Sequence, residues 1–294
     1  LAYVLKEQQP DGVLVAFDRP EPTFRHEAEP EYKAQRDKAP DILRQQMGLV
    51  REVLDALGVS QVEAPGWEAD DLIASASTAL VDRGDDVIIV TGDRDSYQLV
   101  RDPHVKVLYN RRGVSDYSLY DEAGIVERTG VTPALYPQYA ALRGDTSDNL
   151  PGVPGVGEKT AAKLIVTYGG LDGIFANTAA QTPKLRENLE TNEARARKNF
   201  ELMVLRHDAP LDEFGVDLDD LVIRPKPDEL ARLFDFLEFR TLGDRIAEAL
   251  GPQAGVRTAA PRDELHAEVT EVTDGGAASA AIGACDVLDV AAAW

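Results

Sequence analysis

Cysteine is almost absent. Cys285 is the only one in 294 residues, which excludes an intrachain disulfide and makes a reducing, cytosolic setting the expectation. The four histidines, His26, His104, His207 and His266, are scattered, and no two stand at zinc-ligand spacing. No apolar run approaches the roughly 18 residues of a membrane span, and no signal-peptide pattern opens the chain, so no membrane partner is expected. Positive charge is also short: 31 Lys and Arg stand against 52 Asp and Glu, a formal net charge of −21. That balance excludes a protein that holds nucleic acid by its overall field. It leaves open a chain that is acidic in total and basic on one face. Lys33, Arg36, Lys38 and Arg44 form such a local concentration between Arg25 and Arg51, offset by neighbouring acids. The remaining composition, 44% hydrophobic and 28% charged, is ordinary for a globular protein with room for one large domain or two smaller ones.

The most informative stretch runs from Arg143 to Thr160. Two carboxylates, Asp145 and Asp148, stand before a glycine-spaced turn, Gly152, Gly155 and Gly157, which opens a helix at Glu158. Such a turn aims backbone amides at a phosphate at the helix N-terminus. Lys159 and Lys163, one helical turn apart with Thr160 between them, add contacts of the same kind. A P-loop is excluded because Glu158 occupies the glycine position before Lys159; a Rossmann turn is excluded because Thr160 replaces the third glycine. Carboxylates beside a phosphate-binding turn point to metal-assisted chemistry on nucleic acid.

Upstream, the apolar runs Val13 to Phe17, Val87 to Val90 and Val105 to Leu108 read as buried parallel strands. Helical spacing predicts helices over 42–57, with Leu43, Met47, Val50, Leu54 and Leu57 on the apolar face, and over 68–81. Strands alternating with helices predict a three-layer α/β sheet with its working residues at the carboxyl ends of the strands. From about Leu119 the pattern turns helical: 119–129, 135–142, 183–205 and 228–250. Three parts are expected: an α/β core over 1–118, a helical part over 119–250, and a linker with an incomplete further domain over 251–294, whose Ala-, Gly- and Thr-rich start is a linker composition. Leu1 is not a methionine and Trp294 stands within an apolar stretch, so both ends are expected to be cuts in a longer protein.

The acids form one pattern. Asp18 follows the first strand, Glu68, Asp70 and Asp71 open a helix, and Asp93 and Asp95 follow the second strand. Each alone is explained by helix capping. Together with Asp145 and Asp148 they stand at junctions that an α/β sheet brings to one crevice. Hard divalent cations take such oxygen ligands, and two of them about 4 Å apart activate water and stabilise a leaving oxygen.

Val15-Ala16-Phe17-Asp18, Phe24-Arg25-His26-Glu27, Glu31 to Arg36, Gly66 to Asp71, Thr91 to Asp95 and the run through Lys159 occur in this order. Over roughly residues 1–250 the chain thereby resembles the 5′-nuclease (flap endonuclease-like) domain of bacterial DNA polymerase I. The resemblance implies a PIN-like sheet followed by a helix–three-turn–helix subdomain, and structure-specific cleavage of DNA or RNA primer strands at 5′ ends, flaps or nicked junctions. It implies two Mg²⁺ or Mn²⁺ ions held, directly or through water, by Asp18, Glu68, Asp70, Asp71, Asp93, Asp95, Asp145 and Asp148. Arg25, Tyr32, Lys33, Arg36 and Arg44 would belong to the arch and gateway, with Lys33 the first choice for stabilising charge on the scissile phosphate. The glycine turn would grip duplex backbone without reading bases and hold a monovalent cation such as K⁺. The family begins with a strand bearing one more metal-binding Asp, so the sheet here is expected to lack its first strand. The tail favours a polymerase over a stand-alone exonuclease. A monomer is expected. A non-catalytic DNA-junction module is the competing reading, and an Asp-nucleophile phosphatase is disfavoured because Pro20 stands where its second Asp would be.

Overall fold

The computed structural model describes residues 1–36, 40–112 and 116–251, which fall within one compact unit, Leu1–Thr258. Lys38, His266, Cys285 and the linker with its following segment lie outside the described residues.

The chain starts with helix α1 (Ala2–Gln8) and strand β1 (Leu14–Ala16), followed by a short helix α2 (Phe24–Ala28) and the long α3 (Asp41–Leu57). Strand β2 (Ser60–Val62) pairs parallel with β1, Leu14 opposite Ser60 and Ala16 opposite Val62. Helix α4 (Ala69–Asp82) leads to β3 (Val87–Thr91), which pairs parallel with β4 (Val105–Arg112); β5 (Asp116–Tyr120) adds an antiparallel edge to β4. Helix α4 packs on both β1 and β3.

Side chains alternate along β1 as a strand requires. Val13, Val15 and Phe17 face a core built from α3 and two C-terminal helices, α10 (Pro227–Phe236) and α11 (Arg240–Leu250). Leu14 and Ala16 face the opposite core, around Val62, Leu72 and Ala76. Helices thus cover both faces, and the three-layer α/β arrangement expected from the sequence holds.

The largest core runs from the β3–β4 sheet into the helices that follow: α5 (Glu122–Thr129), α6 (Tyr136–Arg143), α7 (Glu158–Tyr168), α8 (Leu171–Ala176) and α9 (Pro183–Met203). Between α6 and α7 a two-residue ribbon, β6 (Gly144–Asp145) with β7 (Leu150–Pro151), closes the acidic loop.

Three expectations change. Leu119 belongs to β5, opposite Leu108, and the helix starts only at Glu122, where Asp121 Oδ1 accepts the Gly124 amide at 2.8 Å. The segment 228–250 is two helices, broken where Glu238 takes a left-handed φ of 55° and the Phe239 amide turns back to the Phe234 carbonyl. On α3, Leu54 and Leu57 are buried, but Leu43, Met47 and Val50 remain exposed, because only the C-terminal half of the helix reaches the core.

Candidate active site

The loops at the carboxyl ends of β1 and β3, the start of α4 and the β6–β7 ribbon converge. Helix α4 is capped by a reciprocal pair in which the Glu68 side chain takes the Asp71 amide and the Asp71 carboxylate takes the Glu68 amide. Capping therefore explains part of this acidic run, as local chemistry alone allowed. Asp18, just beyond β1, has Oδ1 on the Ala69 amide at 2.7 Å, which fastens the β1 end to the start of α4.

Asp71 is fully buried, and protein donors occupy both of its oxygens. Arg25 reaches them with Nη1 at 2.6 Å and Nη2 at 2.8 Å, and the Arg206 amide adds a third bond at 2.9 Å. Arg25, 2% exposed, also donates through Nε to the Leu202 carbonyl at 2.7 Å. Burial works against its charge, yet the hydrogen bonds and charge of Asp71 win and hold its pKa above the ordinary value. The pair joins α2, α4 and the end of α9.

The segment Glu31–Arg36 is clamped onto the acidic loop. The Lys33 amide donates to the Asp148 carbonyl, Gln35 Nε2 to the Thr146 carbonyl, and Asn149 Nδ2 to the Glu31 carbonyl. The Tyr32 hydroxyl bridges two carboxylates, Glu68 Oε2 at 3.2 Å and Asp148 Oδ2 at 3.0 Å. Burial and then the charges of Glu68 and Asp148 raise its pKa, so it stays protonated and donates. Lys33, at a left-handed φ of 55°, places Nζ 2.9 Å from Glu68 Oε2, and Arg36 Nη2 is 2.7 Å from Asp148 Oδ1. Arg44 stands apart on the first turn of α3, paired with Asp41 and largely exposed.

The remaining acids crowd one another. Asp93 Oδ1 accepts the Asp95 amide at 2.9 Å, and Asp145 Oδ1 accepts the amide and hydroxyl of Ser147. Burial, then the charges of Asp93 and Asp18, push the Asp70 carboxyl up to about 7. Asp95, half-buried by surface area but enclosed by protein, is held well above the carboxylate range by burial and then by Asp93, Asp148 and Asp145. Asp148 is raised by burial, against the opposing pull of Lys33, Tyr32 and Arg36. Such mutual repulsion is what a bound cation relieves. The donor set is all hard oxygens, and among the described residues Asp70, Asp93 and Asp95 form no ion pair, which fits a hard divalent cation. Among the described residues no three ligand-type side chains form a finished metal cage. Glu68, Asp71 and Asp148 are each engaged by basic or hydroxyl donors of the protein.

The glycine turn is built for close approach. A Cβ on Gly152 would lie 2.2 Å from the Arg143 carbonyl carbon and oxygen, so only glycine lets the two backbones cross. Gly155 needs its left-handed φ of 79°, whereas a Cβ on Gly157, the N-cap of α7, would meet open space. Val153 and Val156 anchor the turn in the core, Asn188 Nδ2 holds the Pro154 carbonyl at 2.8 Å, and Asn199 Nδ2 reaches the carbonyls of Ala141 and Pro151. Lys159 and Lys163 are exposed on α7 and pair with no acid among the described residues; Thr160 is half-buried. Two residues that motif reading passed over connect turn and cluster. Arg94 and Arg143 both face Glu158 Oε1, at 3.2 and 3.5 Å, and Arg143 also faces Asp145 at 3.6 Å. Their neighbours in sequence, Asp93, Asp95 and Asp145, were the only signal that could have found them.

Residues 1–130 match the family model for the 5′-3′ exonuclease N-terminal resolvase-like domain, and residues 131–229 match that for the 5′-3′ exonuclease C-terminal SAM fold. DNA polymerase I of Mycobacterium tuberculosis (strain CDC 1551 / Oshkosh) is 46% identical over 256 residues, 87% of this chain. DNA polymerase I of Deinococcus radiodurans is 39% identical over 283 residues, 94% of this chain. In both cases the chain spans 28% of the relative's length. Among solved structures, a T5 5′-exonuclease with bound divalent metal ions (zinc) superposes with a TM-score of 0.59 at 24% identity, over 80% of this chain and 87% of that one. The catalytic core of Rad2 in complex with DNA substrate gives 0.53 at 19% identity, over 85% and 80%. At these identities the superpositions establish the fold. The two family models, which together cover most of the sequence, establish the kinship: the chain belongs to the 5′-3′ exonuclease family.

Proposed function

We propose that this chain is a divalent-metal-dependent 5′-nuclease that hydrolyses phosphodiesters at 5′ ends or flaps of DNA and at RNA primer strands. In this reading it serves as the 5′-nuclease part of a DNA polymerase I like its relatives, working as a monomer in the cytoplasm. The observation that carries the reading is the crowd of carboxylates held above their ordinary pKa beside Lys33 and the ribbon that leads directly into the glycine turn.

Two Mg²⁺ or Mn²⁺ ions held by Asp18, Glu68, Asp70, Asp93, Asp95, Asp145 and Asp148 would activate water and stabilise the leaving oxygen. Asp71 orders the site through Arg25. The Tyr32 hydroxyl keeps its proton between Glu68 and Asp148 and fixes the orientation of both carboxylates. Lys33, on a backbone fastened to Asp148, presents a positive charge to a scissile phosphate entering the cluster, where electrostatic stabilisation acts on charge that develops during cleavage. Arg36 and, farther out, Arg44 guide the strand towards it. The amides after Gly152, Gly155 and Gly157, with Lys159, Thr160 and Lys163, hold duplex backbone without reading bases. Carbonyls of the turn supply ligands for a K⁺ ion. In this reading the division expected at 118/119 shifts to 120/121, since β5 (Asp116–Tyr120) would otherwise be cut in two.

The test is cleavage of a 5′-flap duplex by the chain with Mg²⁺. Cutting at the junction is expected, lost in EDTA and lost in Asp93→Asn, while the variant still binds the flap. The absence of a ready metal cage among the described residues favours one alternative, a non-catalytic DNA-junction module. That alternative predicts flap binding with no Mg²⁺-dependent cutting and no Mg²⁺ uptake by calorimetry, and this result would replace the nuclease reading.

A further inference from the structure

A cavity of about 100 Å³ lies beside the start of α7, and none of the eight candidate metal ligands lines it. Three guanidiniums from separate segments do, those of Arg94, Arg128 and Arg143. In a chain with 52 acids and 31 bases this is a local reversal of charge. Glu158 is the one carboxylate of the lining and is held by Arg94 and Arg143, while Arg143 also faces Asp145 at 3.6 Å outside it. Arg128 pairs with no acid among the described residues.

The remaining wall includes Tyr97 and Tyr136, 0% and 1% exposed, whose hydroxyl oxygens are buried and have no hydrogen-bond partner among the described residues. Arg128 lies beside the Tyr97 hydroxyl and, by side-chain contact and by charge, offsets part of the burial that raises its pKa to about 12, although the contact falls short of good hydrogen-bond geometry. A buried hydroxyl without a partner is costly. The two rings, 5.4 Å apart at their centroids, would pack equally well as phenylalanines. The ring contact therefore does not by itself account for the two hydroxyls.

Guanidiniums only donate, and the hydroxyls have protons to donate. The complementary ligand is a compact anion with more acceptor oxygens than the two of Glu158. We propose that this pocket binds a phosphate group, which displaces Glu158 from Arg94 and Arg143 and engages Arg128 and the hydroxyls of Tyr97 and Tyr136. Arg94 lies between Asp93 and Asp95, and Arg143 shortly precedes Asp145, so the phosphate would be held next to the carboxylate cluster without being a ligand of it. Its source is either a strand phosphate of nucleic acid, which rests on the function proposed above, or free phosphate, which does not.

The experiment titrates the whole chain with inorganic phosphate in EDTA, read by calorimetry and phosphorus NMR. Saturable binding is expected, weakened about tenfold by Arg128→Gln, in keeping with loss of a charge-assisted contact, weakened several-fold by Tyr136→Phe, and tightened by Glu158→Gln. Arg128 is exposed, so its variant keeps the fold. Absence of saturable binding, or binding indifferent to both Arg128→Gln and Glu158→Gln, overturns the proposal. A second arm adds a DNA duplex under the same metal-free conditions. Release of bound phosphate identifies a strand phosphate as the occupant; retention identifies free phosphate; either supports the pocket. Cleavage is not read, so pocket and nuclease can each fail without the other.

Discussion

Arg25 and Lys33 are neighbours in sequence and both basic, yet the structure gives them different surroundings. Arg25 is enclosed, with its donors on Asp71 and on the carbonyl ends of α9. Lys33 keeps part of its side chain in solvent and holds one carboxylate oxygen of Glu68. Removing one partner of a buried ion pair leaves an uncompensated charge and costs about 3–5 kcal/mol. Arg25→Ala should therefore lose about that much stability in urea unfolding, and Asp71→Asn should also destabilise. If Arg25→Ala kept its stability and lost only cleavage, Arg25 would belong to substrate handling, as its place in the motif implied. A conservative Arg25→Lys change cannot restore the two-pronged contact and should remain destabilised.

The element that meets the duplex in the proposed function is the turn with α7. Its backbone is fixed from behind by Asn188 and Asn199, and the crossing at Gly152 admits no side chain. That leaves the exposed face, with the open space above Gly157 and with Lys159 and Lys163, which pair with no acid among the described residues, to meet a phosphate backbone. Each lysine that neutralises a phosphate in duplex DNA contributes roughly 0.9 to the slope of log affinity against log salt. Lys159→Gln with Lys163→Gln should weaken duplex binding in EDTA by similar factors on unrelated sequences and flatten that slope by roughly two, read by fluorescence anisotropy at several salt concentrations. An unchanged slope would move the duplex contact to another face.

At the scale of the molecule, the fold brings carboxylates from distant segments into one cluster in which they repel one another. Asp70, Asp95 and Asp148 all have folded pKa values above the ordinary 3.8, the first at about 7. Between these values the folded metal-free chain binds more protons than the unfolded one. Its stability therefore falls as pH rises from the ordinary carboxylate value through each folded value, and Asp70 exerts its full penalty above about 7. A divalent cation replaces the proton as the neutralising charge. Mg²⁺ should accordingly raise the melting temperature more at pH 8 than at pH 6, measured by differential scanning fluorimetry against EDTA controls. A shift as large at pH 6 as at pH 8 would mean that the cation binds elsewhere.

By itself the sequence determined the elements whose cause is local. The strands at Leu14 and Val87 show as apolar runs, the acids after them as junction residues, and the glycine turn by its spacing before Glu158. Only the tertiary structure decided which charges meet. The enclosure of Arg25 by Asp71, the clamp of Glu31–Arg36 on Asp148, and the convergence of Arg94, Arg128 and Arg143 each join segments distant in sequence. The same holds for α3, where helical spacing marked one continuous apolar face but packing covers only its C-terminal half, and for Glu238, whose left-handed turn ends α10 without a glycine or proline to announce it. Periodicity and turn chemistry act over a few residues and are written in order along the chain. Burial and ion pairing depend on what folds on top, which no local pattern records.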